Sequence, residues 1–204
     1  LWYNTYYRKI FSVFKGYDTK SVSLTKESAA FFLWKKGEAM FKEGDFIIYG
    51  SNGVCQVEHI GSMDLQGVPG DKMYYTLVPV YEEKSRLFTP VDNHKVVMRP
   101  VISKKEACEL IDHMQEMQVF EIQNEKNRDT VFKEALKTGD CEELVRVIKT
   151  IYEKKQERKA QGKKVTAGDE RYFKLAEEHL YGELAIALGI EKDKVSSYIE
   201  KRIA

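Results

Sequence analysis

Between residues 146 and 164 the chain carries eight basic side chains, Arg146, Lys149, Lys154, Lys155, Arg158, Lys159, Lys163 and Lys164, against Glu153 and Glu157. That is a local charge of +6 on one predicted helix and its exit. On a 3.6-residue wheel Lys154, Lys155, Arg158 and Lys159 fall within one broad arc. Cations gathered this way suit contacts to phosphate oxygens, which fix position on nucleic acid without reading its sequence. The same arc also fits a solvated helix face laced by i,i+4 ion pairs. Residue types and spacing leave both readings open.

Other reactive side chains form no constellation. Cys55, Cys108 and Cys141 are odd in number and widely spaced, which gives neither a disulfide framework nor a CxxC metal knuckle. They read as small apolar residues. His59, His94, His113 and His179 are isolated, with no HExxH and no cysteine at ligand spacing. The acidic pairs Glu82-Glu83, Glu142-Glu143 and Glu177-Glu178 sit at turns or helix surfaces and read as capping and solvation. Gly67-Val68-Pro69-Gly70 lacks the strand–glycine–helix setting of a phosphate cradle. No nucleophile elbow or dinucleotide fingerprint is present. The expectation is a protein that is not an enzyme, with no cofactor, no metal and no small-molecule substrate.

Charge is unevenly divided. The net is +1 over 204 residues, but residues 1–39 hold seven Lys/Arg and three Asp/Glu, so residues 40–204 carry −3. The main body is therefore not a generally basic nucleic-acid binder, and any such contact must be local. Apolar residues make up 43% of the chain, enough for a core. No apolar run approaches the roughly 20 residues of a membrane span. The opening LWYNTYYRKIFSVF lacks the unbroken apolar stretch of a signal peptide. A cytoplasmic protein without a membrane partner is expected.

Residues 1–39 differ from the rest, holding ten of the 24 aromatics and both tryptophans. One reading is an amphipathic arm. A sharper one starts from Lys35-Lys36-Gly37-Glu38, which back-translates to AAR-AAR-GGN-GAR. That pattern can contain AAAGGAGA, a ribosome-recruiting signal, just upstream of the codon for Met40. On this reading residues 1–39 are a translated leader and the selected protein begins at Met40.

From Phe41 the texture is β. Phe46-Ile47-Ile48-Tyr49 is rich in strand formers, Ser51-Asn52-Gly53 signals a hairpin turn, and residues 54–60 alternate apolar with polar. Residues 61–72 are a Gly/Pro-punctuated loop. Residues 73–81 form a third strand whose end Pro79 demotes to an edge or bulge. Residues 86–90 and 96–98 are two more short strands. Five short strands in about 60 residues predict a small barrel of SH3 or Tudor type. Ser103 with Glu106 forms a capping box, and the chain is helical from there. Helices are predicted at about 104–117, 124–138 (stopped by Gly139), from a cap at Asp140 to a break at Gly162, from Thr166 to Gly189, and at about 192–203. The third should bury Leu144, Ile148, Ile151 and Tyr152 on one face, and the fourth Leu175, Leu180, Leu184 and Leu188. The fold class expected is α+β, a small SH3/Tudor-like barrel over residues 40–99 followed by a four- to five-helix bundle over 100–204.

With Phe41-Lys42-Glu43-Gly44-Asp45, Ile48-Tyr49, Asn52-Gly53-Val54, Val57 and Ile60, the chain resembles the CarD/CdnL family of bacterial transcription regulators. The likeness continues through Tyr74-Tyr75, Phe88-Thr89-Pro90-Val91-Asp92-Asn93, Leu136-Lys137-Thr138-Gly139-Asp140, Val147-Ile148, Gln156-Glu157-Arg158, Ala176-Glu177 and Gly182-Glu183-Leu184-Ala185. It covers residues 40 to about 203; nothing in residues 1–39 takes part. The resemblance implies a non-enzymatic factor with two modules. A Tudor-like one binds the β subunit of RNA polymerase. A helical one touches the promoter DNA backbone near the upstream edge of the melted region and changes the lifetime of the open complex.

The family's minor-groove tryptophan falls here at Glu125, or at Glu121 in a shifted frame, and Phe120 is the nearest aromatic. Two polymerase-facing arginines of the family fall at Met63 and Phe88. The polymerase contact is therefore expected to lean on strand pairing and apolar packing around Arg86, Leu87, Phe88, Thr89 and Pro90, with Met63 nearby. The DNA contact is expected from Phe120, Lys126, Arg128, Lys154, Lys155, Arg158 and Lys159. The rival reading is a protein-only adaptor without a DNA role, which the missing tryptophan favours.

Overall fold

The computed structural model describes residues 41–62, 72–82, 85–122, 124 and 127–203. The expected leader, the loop at 64–71, Met63, Glu125 and Lys126 lie outside these residues. Residues 41–204 belong to one compact unit.

Five strands, β1 (Phe46–Tyr49), β2 (Val54–Ser62), β3 (Met73–Pro79), β4 (Leu87–Pro90) and β5 (Met98–Pro100), form one antiparallel sheet in the order β4-β3-β2-β1-β5. The sheet is open rather than closed into a barrel. Its outermost strands are short, four and three residues long, and among the described residues they do not pair with each other. Between β1 and β2 a single 3-10 turn (Gly50–Asn52) replaces a two-residue hairpin loop. Gly50 and Gly53, with φ of 49° and 67°, bracket it. A register shift at Val57/His59 bulges β2. Pro79 needs no ladder donor on its outer side, because β4 pairs with β3 only as far as Leu77. The last strand lies two residues later than its sequence suggests. Arg99 and Pro100 belong to it, opposite Ile48 and Ile47.

One face of the sheet is apolar and covered: Ile47, Cys55, Val57, Tyr75 and Leu77 are all buried. Tyr75 also accepts the Phe41 backbone N–H through its hydroxyl at 3.1 Å, which anchors the chain entering β1.

Among the described residues five α-helices follow: α1 (Lys104–His113), α2 (Arg128–Thr138), α3 (Cys141–Ala160), α4 (Ala167–Leu188) and α5 (Val195–Ile203). Local chemistry sets most of their ends. Ser103 and Glu106 complete a capping box. Asp140 accepts from the N–H groups of Glu142 and Glu143, and Thr166 from that of Asp169. Gly139 and Gly189 close α2 and α4 in the left-handed conformation. α1 stops four residues earlier than its sequence suggests, and Lys149 of α3 holds the carbonyls of the turn that follows it (below). Phe132, Leu144, Val147, Tyr172, Leu184 and Val195 meet in the helical core. Leu180 and Leu188 are buried as expected, whereas Leu175 is only half-buried. Tyr152 is 54% exposed, contrary to its expected place in the core face of α3.

Candidate functional site

The sheet and the helices are joined at a buried ion pair. Arg99 on β5 donates from Nη1 to Glu183 Oε1 at 2.5 Å and from Nη2 to Glu183 Oε2 at 2.7 Å. Its Nη2 also donates to the Gly139 carbonyl at the end of α2. Glu183 accepts in addition from the Ile102 N–H at 3.0 Å and the Cys141 thiol at 3.1 Å. Glu183 is 1% exposed. Burial alone would discourage the Arg99 charge, but its hydrogen bonds to Glu183 and that carboxylate's charge outweigh it and raise its pKa. Burial likewise pushes the Cys141 thiol well up, so it stays protonated and donates. Nearby, the Tyr81 hydroxyl donates to the Gly182 carbonyl at 3.0 Å, and Lys192 lies 4.3 Å above the Tyr81 ring. No one of these residues announces the joint, since Arg99 and Glu183 are 84 positions apart.

Farther out on the sheet lies β4. It pairs with β3 through Leu87↔Leu77, Phe88↔Thr76, Thr89↔Tyr75 and Pro90↔Tyr74. Among the described residues its other side has no strand partner. Thr89 points into the core, fully buried, and its hydroxyl accepts from Asn93 Nδ2 at 2.7 Å. Phe88 points the opposite way and is 52% exposed. Leu87 and Pro90 are half-buried. Arg86 makes a bidentate bridge to Glu58 at 2.6 and 2.8 Å. That hydrogen bond, with the charge behind it, lowers the Glu58 pKa and raises that of Arg86. The strand expected to meet polymerase is thus an edge with one outward aromatic, and its arginine is held by a surface carboxylate.

The basic residues of α3 divide into two groups. Lys149 Nζ donates to the carbonyls of Met114, Gln115 and Met117 at 3.2, 2.8 and 2.6 Å, capping the end of α1. Arg146 Nε donates to the Gln118 carbonyl at 3.0 Å, and its guanidinium stacks 4.1 Å over the Phe120 ring. These two cations hold the 114–120 segment. Beyond Ile151 no residue of α3 is buried. Lys155 and Lys159 are exposed, and Lys154 and Arg158 half-buried; Arg158 Nε holds the Lys164 carbonyl at 2.8 Å. The wheel explains the change. The arc that carries Leu144 and Ile151 into the core is continued by Lys154, Lys155 and Arg158, so one face is apolar over the core and cationic past it.

The residues expected to bind DNA are therefore not all together. Lys154, Lys155, Arg158 and Lys159 form one surface. Phe120 is half-buried against the helical core, and its N–H donates to Thr150 Oγ1 at 2.9 Å. Arg128, at the start of α2, lies 3.2 Å from Asp169 Oδ1 in an ion pair whose side chains are 15% and 3% exposed. Sequence reasoning missed Tyr152, which stands at the margin of the cationic surface. The available signal was the halt of the apolar stripe at Ile151.

Among the described residues no helix is long and apolar enough to cross a membrane, and no group of three His, Cys, Asp or Glu gathers as metal ligands would. Residues 41–102 match the model of the CarD-like/TRCF RID domain, and residues 109–200 match that of the CarD C-terminal domain. The first match is the sheet with its open edge; the second spans α2 to α4 whole, with the end of α1 and the start of α5. CarD-family domains mark an RNA polymerase-interacting transcription regulator. With both domains present in order over residues 41–200, the chain belongs to the CarD family.

Proposed function

We propose that the sheet, as a Tudor-like module of residues 40–99, binds the β subunit of RNA polymerase in the cytoplasm by adding β4 to a strand of that subunit. Residues 100–204 then carry the cationic end of α3 to the promoter DNA backbone near the upstream edge of the melted region. The factor has no catalytic step. It alters the lifetime of the open complex, because a contact better made after melting stabilises that state by its differential affinity. A difference of about 1.4 kcal/mol shifts the equilibrium tenfold. The body's net charge of −3 suits this division of labour, since polymerase supplies the effective concentration.

The observation that carries the reading is the β4 edge. Strand addition needs unpaired backbone groups along a strand and a side chain to seat beside them, and Phe88 is available for that role. The test is retention of the full chain on immobilised polymerase β subunit. Phe88→Ala should weaken retention by at least about fivefold, while its thermal midpoint stays near that of the parent because the ring is half exposed. Equal retention of parent and variant, or none by either, overturns the reading. A protein-only adaptor is the second reading. It is favoured by the inward commitment of Arg128 to Asp169 and of Phe120 to the core. DNA-dependent binding that falls steeply with salt excludes it.

A further inference from the structure

From the exposed aromatic at the edge of the cationic face we infer that Tyr152, Lys155 and Lys159 form a binding strip for single-stranded nucleic acid. The tyrosine would serve as a stacking platform for one base. This rests on the proposed DNA role of α3 and sharpens it from duplex backbone to unpaired strand.

Three observations converge. Tyr152 is 54% exposed, the highest value among the large hydrophobic side chains that reach the surface in the described residues. It lies at i, i+3 and i+7 with Lys155 and Lys159, so the three share one stripe. The stripe belongs to the 146–164 stretch, whose charge is +6 inside a body of −3.

Geometry favours a single strand over a duplex. In a duplex the π faces of the bases are stacked on each other, and an aromatic beside the backbone adds nothing to phosphate contacts. In an unpaired strand every base offers a face, and stacking on an aromatic is insensitive to sequence. Along the helix Lys155 and Lys159 stand about 4.5 and 10.5 Å beyond Tyr152. A base seated on the ring would then have its own phosphate and the next within reach of the two flexible ammonium groups. The packed aromatics of the helical half, Phe132 and Tyr172, are edge-to-face at 5.6 Å in the core and unavailable for this.

The experiment measures binding of the full chain to labelled oligothymidine and to a duplex of the same length, by fluorescence anisotropy across a salt series. Tyr152→Ala should weaken single-strand binding roughly tenfold at every salt concentration, leave the slope of log K against log salt unchanged, and leave duplex binding unchanged. Tyr152→Phe should keep the single-strand affinity. Lys155→Ala with Lys159→Ala should lower the slope by about 1.4, at about 0.7 per phosphate contact. The inference is overturned if Tyr152→Ala weakens both nucleic acids alike or neither, or if the parent binds duplex and no single strand. Polymerase β retention of Tyr152→Ala is measured alongside. Parent retention is measured in the same assay, and its absence would refute the polymerase reading and leave the single-strand arms interpretable on their own.

Discussion

Replacing Glu183 by glutamine keeps the side chain's volume and removes the charge that faces Arg99. The carboxylate accepts four hydrogen bonds, two from Arg99 and one each from the Ile102 N–H and the Cys141 thiol. An amide carries one oxygen, and its NH2 would point at two of those donors, so at least two bonds become donor-against-donor contacts. Arg99 is only 12% exposed on its side chain and would be left with neutral acceptors, the Gly139 and Pro100 carbonyls and the one amide oxygen. Removing one member of a buried pair costs about 3–5 kcal/mol. For a chain of this size each kcal/mol lowers the thermal midpoint by about 2–4 °C, so Glu183→Gln should melt about 6–20 °C below the parent. Calorimetry or far-ultraviolet circular dichroism of the full chain at neutral pH reads this. The Ile102 amide should also lose hydrogen-exchange protection, since its acceptor is the mutated group. Arg99→Met combined with Glu183→Leu removes both charges and should recover most of the loss. A midpoint within about 2 °C of the parent for Glu183→Gln, or a double variant no better than the single one, would refute the view that this pair holds sheet to helices.

His179 supplies a pH prediction. Burial lowers its pKa, with Glu178 and Lys192 pulling in opposite directions, and its ring lies over the β1–β2 turn, where a Cβ on Gly53 would stand 3.3 Å from it. The unfolded chain then binds this proton more readily than the folded one, so stability falls as pH drops below the ordinary histidine value of about 6.5 toward the lower folded value. Urea unfolding of the parent and of His179→Gln at several pH values between about 5 and 7.5 should show a slope in the first that is reduced in the second; parallel profiles would exclude the assignment. Gly139 has φ of 62°, and a Cβ there would lie 2.9 Å from Ile48 Cγ2. Gly139→Ala should therefore cost about 1–3 kcal/mol in denaturant unfolding, and a neutral result would mean that β1 and α2 can part without loss.

Sequence was most informative where the cause is local. The caps at Ser103, Asp140 and Thr166 and the stops at Gly139 and Gly189 are short-range hydrogen bonding and backbone conformation, and each lies where its residues suggest. The strand cores were equally legible, because Val57 stands between the polar Gln56 and Glu58 while Ile47 and Leu77 lie in runs of strand-forming residues. What escaped is non-local. The early end of α1 goes with Lys149, more than thirty residues later, capturing the carbonyls of the turn after it. The start of α2 only at Arg128 goes with the pair that residue makes with Asp169. Tyr152 was assigned to the core because a helical wheel carries no information on where the core stops along the axis. The openness of the sheet was invisible for a similar reason, since strand count and length do not say whether the edge strands meet. The cationic face of α3 was the part of the candidate site most readable in advance, while the inward turn of Arg128 was not readable at all.

The way α3 runs on past Ile151 has a mechanical corollary. Its final nine residues bury no side chain, an overhang of about 14 Å whose far end residues 161–166 tie to α4. Adding or deleting seven residues, two helical turns, would move the cationic tip by about 10.5 Å and return it to nearly the same compass bearing. Reach and aim would thus be separately adjustable, provided that α4 changes length by the same two turns. The root of the overhang is clamped by Arg146 and Lys149, and its far end turns toward α4 at Gly162, where a side chain would meet open space.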